Sequence, residues 1–234
     1  MEPGRQRDIE SGRLDNFVDG AFAFAITLLV ISGSSLPHTV AELIAALRGI
    51  PAFAVCFAQL ALFWHGHVLW RETSRTSDRR SLLLSLLLVF LALIFVFPLH
   101  LVFASFFNSV SGGALSPDFV SSAGVVSPSS LAALFACYGL SYASMGGTLS
   151  LLFVHSARSN AGAAGEEMIE LRLHAFSWAF CASVGLLSTL IALSAPYTAT
   201  GWPIAVAGFS YALLALTGVF VHRYRKYLQA HMLR

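Results

Sequence analysis

Charge is what this sequence has least of. Of its 234 residues, 11% are Asp, Glu, Lys or Arg, against 56% hydrophobic, and the mean hydropathy is +0.73. A soluble domain carries about a quarter charged residues. A chain with so few cannot cover its surface in water, so its solvent is mostly lipid. The net charge of +2 is too small to imply a nucleic-acid partner, and no basic stretch alternates with aromatics. Cysteine is scarce as well. Cys56, Cys137 and Cys181 each stand alone in an apolar run, which gives neither a disulfide framework nor CxxC metal spacing and leaves buried structural thiols as the expectation. Catalytic motifs are missing: there is no HExxH, GxSxG or P-loop, and no acidic cluster inside the apolar runs. His65 and His67, two apart on a helix, point roughly 200° from each other and cannot share a metal. No cofactor or metal is implied, and an enzyme has no residues to name.

What the chain has instead is long apolar runs. A bilayer core about 30 Å thick needs roughly 20 helical residues. Six segments meet that length, at about 14–36, 41–70, 81–107, 129–156, 168–195 and 202–225. The expected fold is therefore an all-α membrane protein, one six-helix domain over residues 1–234. Its first run is too long for a signal-peptide core and no A-x-A site follows, so it is expected to stay in the membrane. The breaks make chemical sense: "SLPH" ends the first run with a proline, "RETSRTSDRR" offers Asp78 as a helix cap, and "SVSGGALSPDFVSSAGVVSPSS" is a Gly/Ser/Pro loop. Glu166, Glu167 and Glu170 read as a solvated helix start. His100, His155, His174 and His222, single and near helix ends, read as structural residues.

Basic residues orient the spans. The N-terminus, the second-to-third and fourth-to-fifth connections and the C-terminus hold almost all of them. Segments 109–128 and 196–201 have none, and only Arg48 sits toward that face. Both termini are therefore expected on the cytoplasmic side. No internal repeat stands out, and a single chain offers no obvious water path.

The first run, "GRLDNFVDGAFAFAITLLVISG", carries the strongest signal. Asp19 sits just inside its start, where an ionisable group is expensive unless it faces a partner or a water-filled cavity. The helix dipole alone would also account for it. Phe17, Phe24, Leu28 and Ile31 share one stripe. Gly20, Ala21, Ala23 and Ala25 thin the flanks, as helices in close contact in lipid require. In the second run, Trp64 and His67 are three apart at the depth of Asp19. The three side chains together suggest a buried hydrogen-bonded brace.

These residues resemble the transmembrane-protein-175 family of potassium channels, in its bacterial form. The family's first-helix pattern, R-x-x-x-F-S-D-G-x-x-A-x-A-x-T-L-L-V, is matched by Arg13, Phe17-Val18-Asp19-Gly20, Ala23, Ala25 and Thr27-Leu28-Leu29-Val30, and its W-x-x-H by Trp64 and His67. The later helices are similar in length and hydropathy only. The resemblance implies a homotetramer in which four first helices line a pore for K⁺, with constriction rings at Phe24, Leu28 and Ile31. It implies a selectivity role for Thr27. It also implies a network of Arg13, Phe17, Asp19, Trp64 and His67 that ties the pore helix to its neighbours. Such a channel would sit in a bacterial inner membrane and favour K⁺ over Na⁺ modestly. Three departures stand out: Val18 replaces Ser, Phe24 replaces an aliphatic ring residue, and Ser85 is the nearest candidate for an expected Asn. The rival readings are a proton- or cation-coupled transporter using Asp19 and His67, and a non-conducting scaffold.

Overall fold

The computed structural model describes residues 3–33, 37–74, 76, 78–116, 127–160, 165–195 and 202–232. They form α1 (Pro3–Gly33), α2 (Val40–Leu47), α3 (Ile50–Thr73), α4 (Arg79–Val110), α5 (Pro128–Ser159), α6 (Gly165–Ser194), α7 (Trp202–Phe209), a 3₁₀ segment (Ser210–Leu216) and α8 (Thr217–Met232). No strand occurs among the described residues. Residues 34–36, 117–126 and 196–201, where three expected connections fall, lie outside the described set.

Local chemistry sets the starts. Thr39 caps α2, its hydroxyl accepting from the Glu42 N–H at 3.2 Å, while Glu42 reaches back to the His38 N–H at 2.7 Å. Asp78 does cap α4: its Oδ1 accepts from the Ser81 N–H at 3.0 Å and from the Ser81 hydroxyl at 2.6 Å. Ser127 caps α5 ahead of Pro128.

Two boundaries differ from the sequence expectation. The first helix starts at Pro3, about three turns before the apolar run, because the polar N-terminus continues the helix; the stretch suited to lipid is Gly12–Ile31. The expected second span at 41–70 is two helices. The chain breaks at Arg48–Gly49, and Pro51, which lacks an N–H, opens α3.

Among the described residues, five helical segments are long and apolar enough to cross a bilayer: Gly12–Ile31, Ile50–Thr73, Arg79–Val110, Gly165–Ser194 and Trp202–Ala230. The expected fourth span coincides with α5, which has the length, at 32 residues, but is not one of these five. Its Ser, Thr, Gly and Tyr residues dilute the aliphatic ones. The reason is its place in the bundle. On α5, Gly139 and Gly146 meet the backbone of α6, so the two helices nearly touch. A Cβ on Gly185 would lie 2.8 Å from the Gly139 carbonyl oxygen, and one on Gly146 3.2 Å from the Ala182 nitrogen. Small residues permit such approach. α5 spends its surface on protein, with only part left for lipid.

One core joins α1, α3, α4, α5 and α6. Phe63 is its hub, edge-on to Phe95 and Tyr142 and stacked on Trp178 at 5.5 Å. Gly66 makes room for that indole, since a Cβ there would come within 2.4 Å of it. Gln59 accepts a hydrogen bond from the Tyr138 hydroxyl at 3.0 Å, satisfying both groups where no water is at hand. The thiols divide: Cys56 is buried, Cys181 is half-buried, and Cys137 is exposed, against the expectation that all three are buried.

The glycine seam yields a test. Gly185→Ala places a methyl against backbone that cannot move aside, and should cost roughly 1–3 kcal/mol, read as a fall in melting temperature. Gly147→Ala, where the added carbon meets nothing within 4 Å, should leave stability unchanged or raise it slightly.

Candidate functional site

α1 lies against α3 and α4. Val18, Phe22, Ala25 and Leu29, spaced by four, three and four, form the buried flank. Val18, where the family pattern has Ser, is wholly buried among apolar side chains, a place where a hydroxyl would find no water. The opposite flank has no cover among the described residues. Phe17, Phe24 and Ile31 are 54%, 55% and 66% exposed. Thr27 is exposed too, and its hydroxyl donates to the Ala23 carbonyl one turn back at 3.0 Å. Leu28 differs from the rest of the stripe: it is half-buried and packs against the core, so it marks the edge of the free face.

The base of α1 is tied by two polar contacts. The Trp64 indole N–H donates to Asp19 Oδ1 at 2.8 Å. Asp15, one turn nearer the N-terminus, forms an ion pair with Arg71 at 2.8 Å. The registers match: carboxylates four apart on α1 meet partners seven apart on α3, which runs past it the other way. Arg71 also lies over the Trp70 ring, 5.4 Å from its centroid. The expected single network of Asp19, Trp64 and His67 is therefore divided. His67, 2% exposed, shares a 3.0 Å hydrogen bond with Ser85 of α4 and does not reach Asp19. Arg13 is exposed and has no partner among the described residues, and Phe17 faces outward. The basic residue that secures the helix is Arg71, which sequence reasoning had used only to orient the spans.

A second polar group fixes the ends of α3 and α5. The buried Trp70 indole donates to Ser156 Oγ at 2.8 Å, and the Ser74 hydroxyl donates to the same oxygen at 2.7 Å. His155 Nε2 donates to Asp78 Oδ2 at 2.8 Å. Burial works against ionisation of Asp78, but the hydroxyl and N–H of Ser81 and the His155 ring outweigh it and hold its pKa down at about 2. The Asp15 signal was readable in retrospect, as a second carboxylate four residues before Asp19 on the same helix face.

Apolar helices of this length define a multi-pass membrane protein. The comparisons with known proteins narrow the class. The family model described as the endosomal/lysosomal potassium channel TMEM175 matches residues 13–98, from the base of α1 to Pro98 of α4. A potassium channel of Marivirga tractuosa is 30% identical over 195 residues, covering 82% of this chain and 78% of that protein. A crystal structure of the potassium channel MtTMEM175, a variant bound to a nanobody–MBP fusion, superposes with a TM-score of 0.78 at 26% identity, over 90% of this chain and 91% of that one. The TMEM175 homologue of Chamaesiphon minutus, described as lysosomal and potassium-selective, is alike in fold alone, with a TM-score of 0.59 at 18% identity over 91% and 98% of the two chains. The chain belongs to the TMEM175 potassium-channel family.

Two outcomes are expected at this site. A double-mutant cycle of Asp15→Asn and Arg71→Gln, read by thermal unfolding, should return a coupling of roughly 0.5–1 kcal/mol, the range of partly exposed ion pairs; a cycle that closes to zero would show that the pair contributes nothing. Acid should act through Asp78. Its pKa is lowered from 3.8 to about 2, so its contribution is complete above the ordinary carboxylate range and is lost as pH falls through about 2. The wild-type melting temperature should therefore drop further across that window than that of Asp78→Asn.

Proposed function

We propose that this protein is the subunit of a potassium-favouring cation channel. Four copies assemble around a central axis, each crossing the membrane six times, α5 included, with both termini in the cytoplasm of a bacterial cell and the pore in its inner membrane. The first helix of each copy lines the pore. Phe24, Leu28 and Ile31 form apolar rings around it, and Thr27 presents its hydroxyl-bearing side chain between them.

The observation that carries this reading is the division of α1 into a buried flank and an uncovered apolar flank, on the helix whose residues match the family pattern. A helix anchored at its base by Asp15 and Asp19, with Phe24 and Ile31 free, is suited to meeting three copies of itself. Asp19 supplies negative charge near the cytoplasmic mouth and draws cations toward it. An apolar constriction gates by dewetting. A cation that passes sheds part of its hydration shell, which costs K⁺ less than the smaller and more strongly hydrated Na⁺, so the selectivity is modest. Phe24 makes the first ring bulkier than an aliphatic side chain would. The coupled-transporter reading needs Asp19 and His67 to exchange protons, and their separate partners, Trp64 and Ser85, speak against it.

The test is the reversal potential of purified protein in a planar bilayer, with K⁺ on one side and Na⁺ on the other. We expect reversal displaced toward the K⁺ equilibrium potential, a larger single-channel current in Phe24→Ala, and increased leak in Leu28→Asn. Silence from folded, tetrameric wild type and from Phe24→Ala alike would overturn the channel reading.

A further inference from the structure

The polar groups between α6 and α8 take no part in the α1 site. They line a cavity of about 390 Å³, within the range of roughly 300–1,000 Å³ typical of small-ligand sites. Glu170, His174 and Ser177 enter it from α6, and His222 and Arg225 from α8. Gly218 leaves the space open, since a Cβ there would meet nothing within 4 Å. Glu170, read from the sequence as part of a solvated helix start, keeps 42% of its side chain exposed. Its carboxylate pairs with Arg225, and His174 Nε2 lies 3.9 Å from it.

The hydrogen-bonding inventory favours an anion. A guanidinium has five N–H donors, and one carboxylate cannot use them all. His174, His222 and Ser177 can donate as well, while Glu170 is the only anion in the lining among the described residues. Arg172, Arg223 and Lys226 are exposed nearby, with Glu166 and Glu167 further out in the first turn of α6. Depth narrows the choice. α6 has 30 residues, and at roughly 1.5 Å each it overhangs a hydrocarbon core of about 30 Å by some 7 Å at either end. Glu170, five residues and about 7 Å in, then lies at the boundary between the hydrocarbon core and the headgroup layer. On the deeper side of the cavity, Leu216, Val219 and Phe220 of the last segment are 45%, 53% and 40% exposed, a strip against which an acyl chain can lie.

We infer that this cavity holds the phosphodiester headgroup of an anionic phospholipid, with Arg225, His222 and Ser177 donating to its oxygens and the chains descending along Val219 and Phe220. Basic pockets between spanning helices suit such headgroups. Glu170 has two effects: it aims Arg225 into the cavity, and its charge disfavours a second negative charge on the ligand. The site thus selects a monoanionic diester such as phosphatidylglycerol over a dianionic monoester. The inference rests on the membrane-spanning fold and is independent of conduction.

The test is native mass spectrometry of the full-length protein in detergent, titrated with phosphatidylglycerol, phosphatidylcholine and phosphatidic acid. Thermal-shift measurements with inorganic phosphate and glycerol phosphate run alongside. Wild type should retain phosphatidylglycerol in preference to phosphatidylcholine, and the chainless phosphates should have little effect. Arg225→Gln and His222→Gln should each weaken retention roughly tenfold, the equivalent of one hydrogen bond to a charged group. Glu170→Gln, which keeps the donors, should retain phosphatidylglycerol and gain phosphatidic acid, so the proposal stays testable if Arg225→Gln does not fold. Equal retention of the zwitterionic lipid, unchanged retention in His222→Gln and Arg225→Gln, or full protection by glycerol phosphate would each overturn it.

Discussion

The indole of Trp64 donates to Asp19, and with the Asp15–Arg71 pair one turn below, that bond decides where α1 can sit. Asp19 is exposed and Asp15 half-buried, and each is met by a partner from α3. Both partners come from the last three turns of α3, a helix that is itself held in the core by Phe63, Gly66 and Trp70. The base of α1 therefore inherits the rigidity of the bundle. With the base secured, the upper helix needs only Phe22, Ala25 and Leu29 to stay seated, and its other flank is left uncommitted. A helix that must line a passage has to be fixed without being surrounded, and polar ties at one end achieve that with little contact area.

The rest of the chain works as a platform for α3 and α4. The close approach of α5 and α6 at Gly139, Gly146 and Gly185 makes a stiff pair, and Tyr138, Tyr142 and Trp178 project from it into the core. This arrangement explains the small and hydroxyl-bearing residues of α5. Polarity that would be costly toward lipid is tolerated where the neighbour is another backbone. His155 and Ser156, at its far end, then fasten the α3–α4 turn through Asp78, Trp70 and Ser74.

Much of this was legible in the residues. Hydropathy located the long helices, the Ser/Thr/Asp rule found the cap at Asp78, and the period of α1 put Phe24 and Ile31 on one stripe, together with the half-buried Leu28. The break between α2 and α3 was missed although its signals were present, because Gly49 and Pro51 stand inside an apolar run long enough to read as one helix. The partner of Asp15 was not legible. Arg71 is 56 residues away, and only the relative register of two helices brings the charges together. The same holds for Glu170 and Arg225, and for His67, whose partner Ser85 is set by the depth at which α4 packs. Periodicity assigns a residue to a face, while pairing depends on how far one helix slides along another, which no local pattern encodes.

The 3₁₀ segment Ser210–Leu216 has a geometric consequence for the last span. A 3₁₀ helix advances about 120° and 2.0 Å per residue, against about 100° and 1.5 Å for an α-helix. Over these seven residues the chain gains roughly 3.5 Å in length and turns everything beyond it by about 140°. In an unbroken α-helix, Ala207 and Arg225, eighteen residues apart, would lie on one line along the rod. The segment moves them to different sides. Ala207 can then close on Ala136 and Ala192, where α5 meets α6, while Arg225 approaches Glu170 on α6. The last span thus behaves as a crankshaft, two straight arms offset by a twist, and each arm engages the bundle at its own angle.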